Sequence, residues 1–275
     1  MSGSVPMTDE EFAEFALTIA YEAGELLLAG WQDVRPVATK STKHDLVTQM
    51  DGASEALVRD RIASARPDDV VLGEEEGQQG DVSDNGIRWV VDPLDGTVNY
   101  FYGHPAWAVS IAVEREGDIV AGVVHIPALH ETYLAWSGGG AWSLTPQGRN
   151  RLSVSKVVDL GDAVVGTGFG YDAGRRGRQG KIVAELLPTV RDVRRIGAAA
   201  PDLCWVAQGR LDAHYECGLN YWDWAAGGLM VAEAGGVVRD LDGGPGRTEM
   251  TIAGPPALAA QLAARLTKLG ARDCL

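Results

Sequence analysis

Two aspartates three residues apart, followed at once by glycine and threonine, close the run Trp89-Val90-Val91-Asp92-Pro93-Leu94-Asp95-Gly96-Thr97. The residue types are those of a strand that ends by presenting hard oxygen ligands. Two carboxylates on a tight turn can face one cation. Gly96 lets the backbone come close to a ligand, and its N–H and that of Thr97 can point at a phosphate. The chemistry implied is metal-assisted work on a phosphate ester. The spacing differs from the Asp-x-Asp-x-Thr loop, in which the first aspartate is phosphorylated, so a covalent aspartyl-phosphate route is the weaker alternative.

Three more acids stand beside predicted element ends. Asp51 follows the segment Lys40 to Thr48, Glu74 follows Val70-Val71-Leu72-Gly73, and Asp223 follows Tyr221-Trp222. Taken singly, Asp51 and Asp223 read as helix N-caps, and Glu74-Glu75-Glu76 as a solvated acidic loop. Acids at the ends of neighbouring elements can nevertheless converge. Such a cluster is costly unless it is protonated or neutralised by cations. Magnesium prefers oxygen ligands and suits both the cluster and a phosphate. The five histidines, His214 among them, show no metal-ligand spacing and receive no role.

The elements that must carry these residues follow from periodicity. Thr8 and Glu11 form a capping box ahead of Phe12, Phe15, Ala16, Ile19, Ala20 and Ala23, a helix ending near Gly30. A second helix begins after Asp51 and stops before Pro67. Short strands follow at Val70–Leu72, Trp89–Val91, Ala108–Val113, Ile119–Val124 and Thr132–Trp136, with a hairpin connection at Glu114–Asp118. The segment Gly77–Asn85 reads as a loop. Gly138–Asn150 is rich in Gly and polar residues, a candidate boundary between residues 1–150 and 151–275. Beyond it, strands at Ala163–Val165, Val193–Ile196, Ala213–Tyr215 and Val237-Val238 alternate with helices. Those helices are expected at Lys181–Thr189, Ala199–Gln208, Trp222–Ala234 and Pro256–Leu269, an α/β pattern.

The chain has 275 residues, 45% hydrophobic and 23% charged, with a formal net charge of −14. So acidic a balance argues against nucleic-acid binding, and bound cations would be needed to reverse the local field for a phosphate ester. Three cysteines, an odd number without zinc spacing, read as free thiols in a reducing compartment. With no evident signal peptide or membrane-length apolar run, a cytoplasmic protein is expected.

Four separated segments together resemble the inositol monophosphatase family. Val91-Asp92-Pro93-Leu94-Asp95-Gly96-Thr97-Val98-Asn99-Tyr100 resembles its first signature. Tyr221-Trp222-Asp223-Trp224-Ala225-Ala226-Gly227 with Glu233-Ala234-Gly235-Gly236 resembles the second. Gly73-Glu74-Glu75, and Lys40 with Asp45-Leu46-Val47-Thr48-x-x-Asp51, match two more. The resemblance spans nearly the whole chain. It implies an α/β (α+β) fold, a layered αβαβα sandwich, with magnesium dependence, lithium sensitivity and a homodimer. It further implies that Glu74, Asp92 and the Leu94 carbonyl hold one metal ion, and that Asp92, Asp95 and Asp223 hold a second. A third ion would sit near Glu74. Thr97 and Asp51 would form a pair beside the attacking water, with Glu74 assisting. Gly96 and Thr97 would cradle the phosphate, Lys40 would lie at the edge of the cluster, and Glu216 and the backbone at Ala199 would touch substrate hydroxyls.

Departures from the family pattern are few. Leu94 replaces the usual isoleucine, and His125-Ile126-Pro127 stands where Tyr or Asn, then Asp, then Pro are common. Gly166-Thr167-Gly168-Phe169-Gly170-Tyr171 resembles bacterial members. The function implied is hydrolysis of inositol 1-phosphate, or a similar polyol phosphate, by in-line attack of a metal-activated water. Fructose 1,6-bisphosphate and histidinol phosphate are alternatives, and a 3'-phosphoadenosine nucleotide is disfavoured for want of a basic or aromatic cluster. A regulatory binding partner with incidental activity is an alternative of another class.

Overall fold

The computed structural model describes residues 7–39, 46–81 and 86–275, and of Leu46 the backbone alone. Helix α1 (Asp9–Gly30) leads into strands β1 (Pro36–Thr39) and β2 (Leu46–Thr48), then helix α2 (Gln49–Ala65). Strands β3 (Val70–Gly73), β4 (Gly77–Gln78) and β5 (Ile87–Asp95) precede the short helix α3 (Thr97–Phe101). A meander follows: β6 (Ala108–Arg115), β7 (Asp118–Ile126), β8 (Glu131–Trp136), β9 (Gly140–Thr145) and β10 (Gly148–Arg151). The remainder alternates β11 (Val164–Thr167), α4 (Ala173–Leu186), β12 (Asp192–Arg194), α5 (Ala199–Ala207), β13 (Ala213–Glu216) and α6 (Tyr221–Glu233). It closes with β14 (Val237–Arg239), β15 (Thr251–Gly254) and α7 (Pro256–Lys268).

Over the described residues an eight-stranded sheet runs in the order β10-β9-β8-β7-β6-β5-β3-β4, and a five-stranded sheet in the order β12-β11-β13-β15-β14. Period-two alternation gives each sheet two apolar faces. Trp89 and Val91 pack with Phe12, Ile19 and Leu27 of α1 and Val58 and Ile62 of α2. Val90 points the other way, into a core shared with Leu203 of α5, Met230 of α6 and Ala253 of the second sheet. Ile182 of α4 and Leu258 and Leu262 of α7 cover the far face of that sheet. The layers are therefore helix, sheet, helix, sheet, helix, the αβαβα sandwich that the resemblance implied. Close packing in the central layer depends on small residues: a Cβ on Gly122 of β7 would sit 3.1 Å from Ala226 Cα.

Several expectations need correction. Helix α2 starts before Asp51. Thr48 is its N-cap, and Asp51, three residues on, returns a carboxylate to the Thr48 N–H at 2.8 Å. Asp223 likewise is not a cap but the third residue after Asn220, whose N–H it accepts at 2.6 Å. Helix α4 begins at Ala173 rather than Lys181, because Asp172 caps it by accepting the Arg175 N–H at 2.7 Å. The strand expected at Val193–Ile196 is the shorter Asp192–Arg194, starting one residue earlier and ending two earlier. Gly138–Asn150 forms β9, β10 and their turn, paired antiparallel at the edge of the first sheet. The expected loop at Gly77–Asn85 begins with the short β4, and residues 82–85 lie outside the described ones.

The cysteine reading also changes. Cys217 and Cys274, 57 positions apart in sequence, form a disulfide with Cα atoms 6.4 Å apart. Helix α7 carries the chain end back to the end of β13, a return that spacing alone does not show. Cys204 is a buried free thiol.

Candidate active site

Strand β5 carries the site's central pair. On a regular strand, residues three apart point to opposite faces. Here Asp92 pairs with Ser110 and Asp95 with Ala108, so three steps of β5 oppose two of β6. This bulge turns both aspartates toward one side. Pro93 lies inside it, where no ladder N–H is required, and its carbonyl accepts the Ser54 hydroxyl at 2.8 Å. The turn ends at Gly96, whose φ of 90° suits glycine. A Cβ there would lie 3.0 Å from both Ala106 O and Ala198 Cβ.

Thr97 opens α3 and donates its hydroxyl to Asp51 Oδ1 at 2.9 Å, with Leu94 O at 3.2 Å as a second acceptor. Asp51 is buried, which raises its pKa, while hydrogen bonds from Thr48 and Thr97 act against the rise. Asp92 is fully interior and accepts the Leu94 N–H at 3.1 Å. Asp95 accepts the Ala200 N–H at 2.6 Å. That N–H is available because Ala198, the residue capping α5, offers no side-chain acceptor.

Glu74 follows β3, which runs parallel to β5, and its N–H bonds Val91 O at 3.2 Å. The loop behind it is held by Glu55, which sequence reasoning passed over. Its buried carboxylate accepts the N–H groups of Glu75 at 2.8 Å and Glu76 at 3.0 Å, and pairs with Arg59 at 2.8 Å. The spacing of Glu55 and Arg59 on α2 was the available signal.

Electrostatics bind these parts into one cluster. Burial first, then repulsion by Glu74, Asp95 and Asp223, pushes Asp92 well above the usual carboxylate range. Asp223 is driven the same way by burial, Glu74 and Asp95. Asp95 is raised to about 7 by burial, with Glu74 and Glu216 adding to the rise and the Ala200 and Ala199 N–H groups opposing it. Four carboxylates that repel one another in a desolvated place need protons or a cation.

The donor set answers which cation. It is all oxygen, four carboxylates and the Leu94 carbonyl, as a hard divalent ion such as magnesium requires. Among the described residues no three of the His, Cys, Asp or Glu side chains already form a group able to hold an ion as they stand. The fit is therefore one of chemistry and of mutual repulsion rather than of a preformed cage.

Beside the cluster opens a cavity of about 610 Å3 whose walls include Glu74, Ala199, Glu216, Trp222 and Asp223. Arg175 and Arg195 also line it. Glu216 ends β13 and reaches over Gly168, where any Cβ would overlap its carboxylate. The structure thus brings Asp51, Glu74, Asp92, Leu94, Asp95, Gly96, Thr97, Ala199, Glu216 and Asp223 into one region. Lys40 lies outside the described residues.

Residues 8–271 match the Inositol monophosphatase family. A protein named Inositol-1-monophosphatase from Mycobacterium bovis is 46% identical over 236 residues, 84% of this chain and 81% of that protein. The solved structure of Mycobacterium tuberculosis SuhB superposes with a TM-score of 0.83 at 40% identity, over 97% of this chain and 100% of that one. Nus factor SuhB of Escherichia coli is 38% identical over 231 residues, 83% of this chain and 85% of that protein. The chain belongs to the inositol monophosphatase family and is, as a member, a phosphatase.

Proposed function

We propose that the chain is a magnesium-dependent phosphomonoesterase acting on inositol 1-phosphate or a similar polyol phosphate. The observation that carries this is the placement of Glu74, Asp92, Asp95 and Asp223 in one mutually repelling cluster, with the Thr97–Asp51 pair on one side and Glu216 on the other. Glu74, Asp92 and the Leu94 carbonyl would hold one ion, Asp92, Asp95 and Asp223 a second, and a third would lie near Glu74. When bound, magnesium supplies the positive charge that neutralises the cluster and the phosphoryl oxygens and acidifies water.

The chain's own groups supply the rest. Thr97 Oγ1, held by Asp51, accepts a hydrogen bond from the attacking water and passes proton density toward Asp51 Oδ1. Glu74 stands by to take part in the same transfer. The Gly96 and Thr97 N–H groups orient the phosphate, and Glu216 with the Ala199 backbone orients the ring hydroxyls. A cytoplasmic location, a homodimer and lithium sensitivity belong to this reading, and fractionation, sedimentation and inhibition assays would test them.

Phosphate release from a panel of esters, with and without magnesium and beside Asp95→Asn, tests the proposal. Magnesium-dependent release that is best with inositol 1-phosphate and lost in the variant supports it. No release from any ester by the folded protein overturns it.

A second reading of the substrate has its own support. Arg175 and Arg195 line the cavity, and the buried Nε of Arg175 has no hydrogen-bond partner. Two guanidinium groups in so acidic a chain suit an ester with a second anionic group, such as fructose 1,6-bisphosphate. Histidinol phosphate finds no such support. A regulatory role beside catalysis is favoured by the similarity to relatives named Nus factor SuhB. Asp95→Asn would separate the two functions, since docking should survive the loss of hydrolysis.

A further inference from the structure

His214 is completely buried in β13, two residues before Glu216. Residues two apart on a strand share a face. Its Nε2 lies 3.5 Å from a Glu216 oxygen, and its Nδ1 lies 3.4 Å from an oxygen of Asp202 on α5. Asp202 is buried as well. Neither His214 nitrogen has a close, well-aligned hydrogen bond, nor does Asp202 Oδ1. The three groups thus form a buried line of carboxylate, imidazole and carboxylate whose last member faces the cavity.

The sheet is shaped to admit the ring. His214 pairs with Gly166 of β11 on one side and Ala253 of β15 on the other. A Cβ on Gly166 would lie 2.9 Å from His214 Nδ1. The paired positions Gly166 and Ala253 therefore bring no titratable side chain against the ring; Asp202 and Glu216 act on its charge most strongly, and Arg195 acts on Asp202 from further off. Burial pushes the imidazolium down, but the pull of the two carboxylates facing its nitrogens outweighs it and raises His214 to about 9.

A polar ring inside an apolar core is costly unless its charge is matched. Packing alone would be served at least as well by an aromatic hydrocarbon at this position. What the imidazolium adds is a cationic partner for Glu216 behind the cavity wall. Glu216 needs one, because it stands in the field of Asp95 and Asp223 and repels both.

We propose that His214 is a positioning residue which, as a cation anchored by Asp202, holds the Glu216 carboxylate toward the hydroxyls of a polyol ester. This rests on the substrate reading given under Proposed function. Its effect falls on substrate recognition and not on phosphoryl transfer, since His214 touches neither the Thr97–Asp51 pair nor the carboxylate cluster on β5.

The test compares His214→Gln and Asp202→Asn with the parent chain in magnesium, using inositol 1-phosphate and p-nitrophenyl phosphate, which has no hydroxyls to offer. For His214→Gln, KM for inositol 1-phosphate is expected to rise about tenfold, the scale of one hydrogen bond to a charged group. Its kcat should hold, and p-nitrophenyl phosphate should suffer far less. The parent's advantage over the variant should fade above about pH 9 as the imidazolium is lost. An equal loss with both esters, or no change with either, overturns the positioning role. If the parent hydrolyses neither ester, the phosphatase reading falls first and this inference with it. Should His214→Gln fail to fold, nitrogen-15 spectra of the parent's histidine rings decide: one ring must stay doubly protonated at about pH 8, and its absence overturns the proposal.

Discussion

The Thr97 hydroxyl and Asp51 Oδ1 meet at 2.9 Å across 46 residues of chain. Asp51 is fixed independently by its bonds to the Thr48 N–H and hydroxyl. In the proposed mechanism the helix start therefore doubles as a mount for the acceptor of a proton. Thr97→Val removes the hydroxyl and keeps the shape, and kcat is expected to fall about 10²- to 10⁴-fold. Thr97→Ser should recover most of it. Steady-state rates at saturating magnesium check both.

The carboxylate cluster makes stability depend on pH in a defined direction. Asp92 and Asp223 are held well above the usual range and Asp95 at about 7. The folded chain therefore keeps protons that the unfolded chain releases near pH ~4. Such groups stabilise fully below their unfolded pKa, and that contribution is lost as pH rises through the folded value. In chelator, Tm is expected to drop between about pH 5 and 8, and in magnesium the curve should flatten. Thermal unfolding under both conditions is the check, and identical curves would count against a cation at the cluster.

Glu55 touches no substrate in the proposed scheme, yet it holds the loop that delivers Glu74. Glu55→Gln exchanges an acceptor for a donor beside the Glu75 and Glu76 N–H groups. A stability loss of about 1–3 kcal/mol is expected. The magnesium concentration for half-maximal rate should rise with it. A metal titration of activity, paired with chemical denaturation, reads both effects.

Gly168 leaves the space that the Glu216 carboxylate occupies. Gly168→Ala should displace that carboxylate, raising KM for inositol 1-phosphate while sparing kcat. The comparison with an ester lacking hydroxyls distinguishes this from general damage to the loop.

Much of the site was legible because acids at element ends keep their chemistry whatever surrounds them. Asp92, Asp95, Glu74 and Asp223 could be picked out by type and position. Their neighbours could not. Glu55, Asp202 and His214 look like ordinary helix and strand residues until α2 is laid on the loop after β3, and α5 on β13. The caps were displaced because Thr48 and Asn220 compete with the acids three residues later for the same helix ends. Strand β10 escaped notice since all four of its residues are exposed at a sheet edge and carry no alternation. Helix α4 was shortened because its first turns are glycine and arginine, and its apolar side begins only at Ile182. The Cys217–Cys274 bond depends wholly on the path of α7.

The mismatch of three residues on β5 against two on β6 makes the aspartate motif a matter of parity. The same letters on an evenly paired strand would place one carboxylate at the cavity and send the other into the apolar layer. The run Asp92 to Thr97 is thus incomplete as an instruction: half of it is written in the shorter span Ala108 to Ser110 on the opposite strand. Grafting the motif onto another sheet without that counterpart would transfer the ligands but invert one of them. A single-residue insertion between Ala108 and Ser110 should silence the site with every acid still in place.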